Sequence, residues 1–292
     1  MKTIKIIALC LSLLLPLIAS AQSPQSPSSQ PDTVGLPDLV VNSNLLGEQW
    51  VVRDEQLDGT LCSVEEGGIT PGMHTLIRFT VETPNIGNAD IVVGDPNAHV
   101  AAGDGLFEFA TCHHHYHFRH YAKYELIDPV TGFVWKAAKK GFCMLDTDPA
   151  PTATSGQQPQ SPQFRNCGTI GIPGNQGISH GWADTYRFFL GGQYFILDGG
   201  DGQPPVPSGT YIIRITVNPP FKPAPGEPCR FLERIDTDGQ PICHQLPESD
   251  FSNNVGEATV FIPDHPGKQG VGPGAGTPAQ EDKDEHGNQI PK

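Results

Sequence analysis

The chain concentrates its histidines in one stretch, Thr111-Cys112-His113-His114-His115-Tyr116-His117, which holds four of the 11 within five residues. The flanking sequence is rich in aromatic residues and has no sustained helical period, which favours a β-strand. Side chains alternate between the two faces of a strand, so His113, His115 and His117 would project from one face. On a helix the same three side chains would spread around the axis.

Three neutral imidazoles on one face of a strand form a typical metal site. Imidazole is a good ligand for copper, iron, nickel and zinc, so the spacing alone leaves the metal open. The alternative is a histidine-rich surface strand without a metal. That alternative is unfavourable because protonated imidazoles on one face repel each other and gain nothing when they bind no ligand.

The two ends of the chain have compositions that do not build a core. Residues 1–21 combine Lys2 and Lys5, an apolar stretch and a small-residue cleavage site, which predicts a secretory signal peptide. Residues 22–35 are mostly Gln, Ser and Pro and predict a flexible linker. Residues 263–292 are rich in Pro, Gly and charge and predict a disordered tail. The expected product is secreted, periplasmic or bound to the cell surface, with no membrane span.

Six cysteines remain after the signal peptide. An even number in an exported chain predicts three disulfides, with free or metal-bound thiols as the alternative. Cys229 and Cys243 are close in sequence, and a disulfide between them closes a short loop. The six are Cys62, Cys112, Cys143, Cys167, Cys229 and Cys243.

A formal net charge of −14 excludes a general affinity for nucleic acid. Such a surface attracts amines or basic protein surfaces, although solubility alone also explains it. The region between the two ends, residues 36–262, contains many short apolar runs separated by glycine and proline and no amphipathic helix. This pattern predicts one all-β, loop-rich, sandwich-like domain.

Several segments resemble, in the same order, those of the lysyl oxidase family. Residues 112–117 followed by 124–128 resemble the copper-binding segment of that family. Residues 139–143 resemble the segment with its cofactor lysine, and residues 177–186 resemble the segment with its cofactor tyrosine. The similarity extends over about 36 to 262, which is nearly the whole predicted domain.

The resemblance implies a copper-dependent amine oxidase. His113, His115 and His117 would bind Cu²⁺, and Tyr186 and Lys139 would form the lysine tyrosylquinone cofactor. The substrates would be dioxygen and a primary amine, either a small amine or the lysine of a protein. The products would be an aldehyde, ammonia and hydrogen peroxide. An exported β-sandwich that binds metal or mediates adhesion without turnover is the competing hypothesis.

Some assignments depend on the resemblance alone. It implies a disulfide between Cys112 and Cys167. It selects Lys139 over the neighbouring Lys136 and Lys140 because of its spacing from the next cysteine. The sequence does not identify the general base: Asp184 and His180 are candidates because both lie near Tyr186, and His180 could equally be a fourth metal ligand or a surface residue.

Overall fold

Short antiparallel strands and long loops make up the structure, a computed structural model that describes residues 35–66, 69–137, 139, 141–151, 161–200, 202–225 and 227–264. The all-β, loop-rich class predicted from the sequence is confirmed. The signal peptide, the linker before Gly35 and the tail after Asp264 lie outside the described residues, so these assignments stay predictions. No helix in the described part of the chain is long and apolar enough to cross a membrane.

The helices are short and the strands follow one another closely along the chain. The helices are α1 (Ser43–Glu48), α2 (Cys62–Glu65) and α3 (Pro96–Ala102). The strands are β1 (Trp50–Leu57), β2 (Gly72–Phe79), β3 (Val81–Pro84), β4 (Ile91–Gly94), β5 (Phe107–Ala110), β6 (His115–Phe118), β7 (Ala122–Ile127), β8 (Val134–Lys136), β9 (Asp148–Pro149), β10 (Gln176–Ile178), β11 (Trp182–Tyr186), β12 (Tyr194–Ile196), β13 (Gly209–Val217), β14 (Phe231–Ile235), β15 (Pro241–His244) and β16 (Val255–Ile262).

Two sheets enclose the main hydrophobic core. A four-stranded sheet has the order β16-β13-β7-β8, and a three-stranded sheet has the order β1-β2-β12. Along β13 buried residues alternate with less buried ones, as expected for a strand with one face in the core. Phe79 of β2 meets Tyr124 of β7 edge to face, with ring centroids 5.5 Å apart. The two sheets therefore pack in a sandwich-like arrangement.

Two smaller elements carry the residues of the candidate site. Strands β5 and β6 pair as a two-stranded antiparallel ribbon, in which Ala110 lies opposite His115 and Glu108 opposite His117. Strand β11 is the central strand of the sheet β3-β11-β9 and ends at Tyr186, which lies opposite Val81. Because strand pairing fixes both backbones, the side chains of His115, His117 and Tyr186 start from rigid positions.

Three disulfides form, as the cysteine count predicts, but only one of the two predicted pairings is right. The Cys229–Cys243 disulfide is confirmed. The pairing of Cys112 with Cys167 is wrong, because the bonds are Cys62–Cys112 and Cys143–Cys167.

Local packing explains the observed pairs. The side chain of Gln176 donates to the Cys167 carbonyl (2.9 Å) and accepts from the backbone N–H of Met144 (3.2 Å), which brings Cys143 next to Cys167. Cys112 lies instead beside α2, which begins with Cys62; the Cα atoms of this pair are 5.4 Å apart.

Candidate metal and cofactor site

The histidine-rich stretch is part turn and part strand. Strand β6 begins at His115, and residues 111–114 form turns. His114 has a backbone φ of +57° and an exposed side chain. The prediction of one strand through all five residues is therefore wrong for its first half. Alternation explains why His115 and His117 share a face, but His113 reaches them from the turn.

The rings of His113, His115 and His117 nevertheless lie together. Their centroids are 5.6, 5.2 and 4.9 Å apart for the pairs 113–115, 113–117 and 115–117. The Nδ1 atom of His113 contacts Glu66 Oε2 at 2.7 Å, and Nδ1 of His115 donates to the His113 carbonyl oxygen at 2.9 Å. Both interactions leave Nε2 as the nitrogen with a free lone pair for a metal.

The three imidazoles fit a metal such as copper in number, chemistry and spacing. Rings bound at about 2 Å through one nitrogen, with ligand angles of roughly 90–110°, have centroids about 4.5–5.2 Å apart. The separations of 4.9 and 5.2 Å lie within this range, and that of 5.6 Å lies slightly beyond it. In the described residues no group of three or more His, Cys, Asp or Glu side chains is arranged to hold a metal as it stands. Small rotations of the rings are therefore needed to bring the three nitrogens to one point.

The electrostatics of the cluster favour neutral rings, which is the form that binds metals. Burial, followed by the charges of Lys139 and the neighbouring imidazoles, lowers the pKa of His117 to about 3. Burial also lowers the pKa of His115, and the charges of His113 and Lys139 act in the same direction.

Tyr186 is buried and held at its hydroxyl group. The hydroxyl donates to the carbonyl oxygen of Cys143 and accepts from the N–H of the same residue, each at 2.8 Å. The ring of Phe142 packs edge-on against it, with centroids 5.2 Å apart. Burial, followed by the charge of Asp184, raises the pKa of Tyr186 well above its ordinary value. The position of the phenol ring is thus fixed on several sides.

Lys139 lies above the ring of Tyr186. Its Nζ atom is 4.8 Å from the centroid of the Tyr186 ring and 5.1 Å from that of Phe142. The segment that carries Lys139 also passes tightly against the histidine cluster, since a Cβ atom on Gly141 would lie 1.9 Å from Nδ1 of His117. Only glycine allows this approach of the backbone to the ring.

One cavity joins these groups. It has a volume of about 340 Å³ and is lined by the three imidazoles together with Lys139, Tyr186 and Asp184. The structure thus brings together the five residues singled out in the sequence. A second opening on the same cluster is lined by Glu66 and Glu108, and Lys139 borders both spaces.

The two candidates for a general base differ in position. Asp184 is 2% exposed and lines the cavity, and its Oδ2 atom has no hydrogen-bond partner in the described structure. Burial raises the pKa of Asp184 well above its ordinary value, and the Tyr186 hydroxyl and Lys139 ammonium offset only part of this effect. His180 is not among the cavity-lining residues, and its ring contacts Asp90 at 2.9 Å. The geometry therefore favours Asp184.

Two further residues of the site escape sequence reasoning. Glu66 contacts His113 although 47 residues separate the two, and no local pattern connects them. Burial alone raises its pKa, but hydrogen bonds from the Cys112 N–H and the His113 ring outweigh burial, so the pKa of Glu66 is lowered. Gly141 could have been suspected only from its position two residues after Lys139.

Replacing His117 with Ala should weaken metal binding by at least about 100-fold, more than the loss of an outer-shell partner would. Its ring is buried between the other two imidazoles and lines the cavity. Replacing His114 with Ala should leave the affinity unchanged, because that side chain is exposed on the turn. Competition titration with a copper chelator measures both. Equal loss in the two variants would contradict the assignment of the cluster.

Comparisons with known proteins identify relatives of this chain. A sequence profile of the family described as lysyl oxidase matches residues 37–226. Lysyl oxidase homolog 4 from Bos taurus is 29% identical over 234 residues, which cover 76% of this chain. Lysyl oxidase homolog 2 from Mus musculus is 26% identical over 229 residues, or 75% of this chain. Lysyl oxidase homolog 1 from Homo sapiens is 28% identical over 200 residues, or 64% of this chain.

The similarity covers only part of each relative. The matched region spans 25%, 24% and 30% of these three proteins, respectively. The residues matched by the family profile, 37–226, include the histidine cluster, Lys139 and Tyr186.

Proposed function

This chain belongs to the lysyl oxidase family, and we propose that it is a secreted, copper-dependent amine oxidase. In this proposal His113, His115 and His117 bind Cu²⁺. Tyr186 and Lys139 form a lysine tyrosylquinone cofactor. The enzyme converts a primary amine, dioxygen and water to an aldehyde, ammonia and hydrogen peroxide. Family membership supports an amine oxidase of the lysyl oxidase type, and the site geometry supports the finer assignment.

One observation carries the proposal. The Lys139 amine lies 4.8 Å from the centroid of the Tyr186 ring, in a cavity whose wall also contains three clustered imidazoles. Neither a buried tyrosine nor a lysine is unusual by itself. The formation of a tyrosine–lysine quinone requires metal-binding side chains next to an amine that lies over a phenol ring. A structural metal site has no need for the lysine.

The chain's own residues have separable roles in this chemistry. Copper would supply the oxidising centre that, with dioxygen, converts the ring of Tyr186 to an electrophilic quinone. The two hydrogen bonds to Cys143 hold that ring in place, and the packing of Phe142 limits its tilt. Lys139 would supply the amine, which attacks a ring carbon only when it is uncharged.

Asp184 is the group that would accept a proton from the substrate carbon next to the amine nitrogen. It projects from the same face of β11 as Tyr186, two residues away, and its free Oδ2 atom lies at the cavity wall. A general base works best with a pKa near the working pH, and burial shifts Asp184 in that direction. Hydrogen bonds from Tyr186 and the Leu145 N–H and the charge of Lys139 oppose this rise in pKa, whereas the charge of Asp146 adds to it.

The proposed substrate is a primary amine, either a small molecule or the lysine side chain of a protein. An acidic chain attracts such cations. The proposed compartment is extracytoplasmic, meaning secreted, periplasmic or on the cell surface. The predicted signal peptide and the three disulfides support this location.

Incubation of the purified protein with copper and air tests the proposed function. We expect visible quinone absorption, adduct formation with phenylhydrazine, and release of hydrogen peroxide when primary amines are added. A protein that binds copper without colour, adduct or peroxide would instead be the non-catalytic metal-binding or adhesion module. A panel of small amines and lysine-containing peptides then identifies the substrate class.

Replacing Asp184 with Asn should lower kcat by about 10²- to 10⁴-fold while copper and quinone contents stay the same. The base acts only when deprotonated, so wild-type activity should rise with pH through the raised pKa of Asp184. The activity of the Asp184→Asn variant should not show this increase with pH. His180→Asn is the control, because its ring is bound to Asp90 outside the cavity. Full activity of Asp184→Asn, or an equal loss in the control, would exclude Asp184 as the base.

A further inference from the structure

We propose that Glu66 is a positioning residue for the metal site, which fixes the tautomer and orientation of the His113 ring. The inference rests on the metal site of the proposed function and extends it to a residue in a distant part of the chain. Glu66 lies immediately after α2, in a segment that shares no strand with the histidines.

The contacts of Glu66 are specific to the start of the histidine stretch. Its Oε2 atom accepts a hydrogen bond from Nδ1 of His113 at 2.7 Å. Its Oε1 atom accepts one from the backbone N–H of Cys112 at 2.5 Å. Both carboxylate oxygens are therefore used, one on the ring and the other on the backbone that carries it. A carboxylate whose two oxygens are both hydrogen-bonded is fixed in position, and it therefore defines the orientation of the ring it contacts.

The fold explains why His113 needs this support. His115 and His117 belong to strand β6, whose pairing with β5 fixes their backbone. His113 lies before that strand, next to His114 with its positive φ. Turns of this kind are less rigid than paired strands. Without a further anchor, His113 would be the least well placed of the three rings.

A disulfide joins the same two segments. Cys62 begins α2 and is bonded to Cys112, the residue directly before His113. The helix spans only Cys62–Glu65, so the disulfide and Glu66 hold the turn from the two ends of one short element. The covalent bond limits how far the turn can move. The carboxylate then determines which way the ring faces.

The hydrogen bond has a direct consequence for metal binding. When Nδ1–H donates to Glu66, the lone pair on Nε2 is left for the metal. A carboxylate in this position fixes the ring and makes it a stronger ligand, and the loss of such partners typically weakens metal binding by about 10- to 100-fold. His115 has a comparable partner in the His113 carbonyl oxygen.

Glu66→Gln and Glu65→Gln form a matched pair of variants. Each removes one negative charge from the same short segment, but the Glu65 side chain is exposed, and the contacts to Cys112 and His113 are made by Glu66. Copper affinity, measured by chelator competition, should fall about 10- to 100-fold in Glu66→Gln and stay unchanged in Glu65→Gln. The Cu(II) electron paramagnetic resonance spectrum should change only in Glu66→Gln. These readouts do not depend on amine oxidation.

Peptide mapping of the three disulfides and the thermal unfolding midpoint establish whether Glu66→Gln is folded. Wild-type copper affinity in a folded Glu66→Gln protein would overturn the inference. If that variant does not fold, nitrogen-15 NMR of the metal-free wild-type protein tests the inference instead, because it shows which ring nitrogen of His113 carries the proton. A proton on Nδ1 supports the role of Glu66, and a proton on Nε2 overturns it. Failure of the wild type to bind copper would instead count against the proposed function. The NMR result would still test whether Glu66 fixes the tautomer of His113.

Discussion

Replacing Tyr186 with Phe should abolish amine oxidation and leave copper binding intact. The substitution removes only the hydroxyl oxygen from which a quinone must be built, and the three imidazoles stay in place. We expect no visible quinone absorption, no adduct with phenylhydrazine and no peroxide release above background. Metal analysis of the same preparation should show the copper content of the wild type.

The loss of the hydroxyl also has a structural cost. It leaves the buried N–H and carbonyl groups of Cys143 without the two hydrogen bonds they make to Tyr186. Unpaired buried polar groups cost about 1–3 kcal/mol each, so the unfolding midpoint should fall. The assays must therefore be run well below the midpoint of the variant.

Tyr116→Phe provides a control for the loss of a buried phenol hydroxyl. Tyr116 lies between His115 and His117 on β6, but its ring projects from the opposite face and its hydroxyl donates to Asn97 at 3.2 Å. This variant should keep copper, quinone and activity. Wild-type turnover by a copper-loaded Tyr186→Phe protein would eliminate the quinone mechanism.

The part of the fold that depends on local pattern could be predicted. Strand β16 shows such a local pattern, because its buried and exposed residues alternate throughout Val255–Ile262. The Cys229–Cys243 disulfide followed from the short loop that it closes. The prediction for the histidine stretch was correct in bringing three rings together and wrong about its first half. A positive φ at His114 interrupts the strand there, and this conformation is too uncommon, even for histidine, to be predicted at a single position.

The part that depends on long-range packing could not be predicted. The partner of Cys112 is 50 residues away, and the contact between Glu66 and His113 spans 47. Only the folded chain shows that α2 lies beside the histidine turn. For the same reason Asp184 and His180 were indistinguishable in sequence, because both lie close to Tyr186 along the chain. The structure separates them by burial and by the cavity that only one of them lines.

The last prediction concerns the cross-link between Tyr186 and Lys139, which are 47 residues apart in sequence. Copper-loaded, aerated protein should yield a pair of peptides joined through these two side chains, and copper-free protein should not. The amine already lies 4.8 Å from the ring centroid, so the bond needs only a small movement of a flexible side chain. Mass spectrometry of a protease digest detects the joined pair.

Lys139→Arg and Lys136→Arg separate the role of this amine from that of its charge. Arginine keeps the positive charge but stays protonated, so it cannot attack a quinone. Lys139→Arg should therefore bind copper yet form no cross-link and show no amine oxidation. Lys136→Arg should behave as the wild type, because Lys136 is an exposed residue of β8 and is not in the wall of the cavity that contains Tyr186. A cross-link that maps to Lys136 or Lys140 would preserve the oxidase but refute the assignment of Lys139, because proximity to the ring would then not determine which amine reacts.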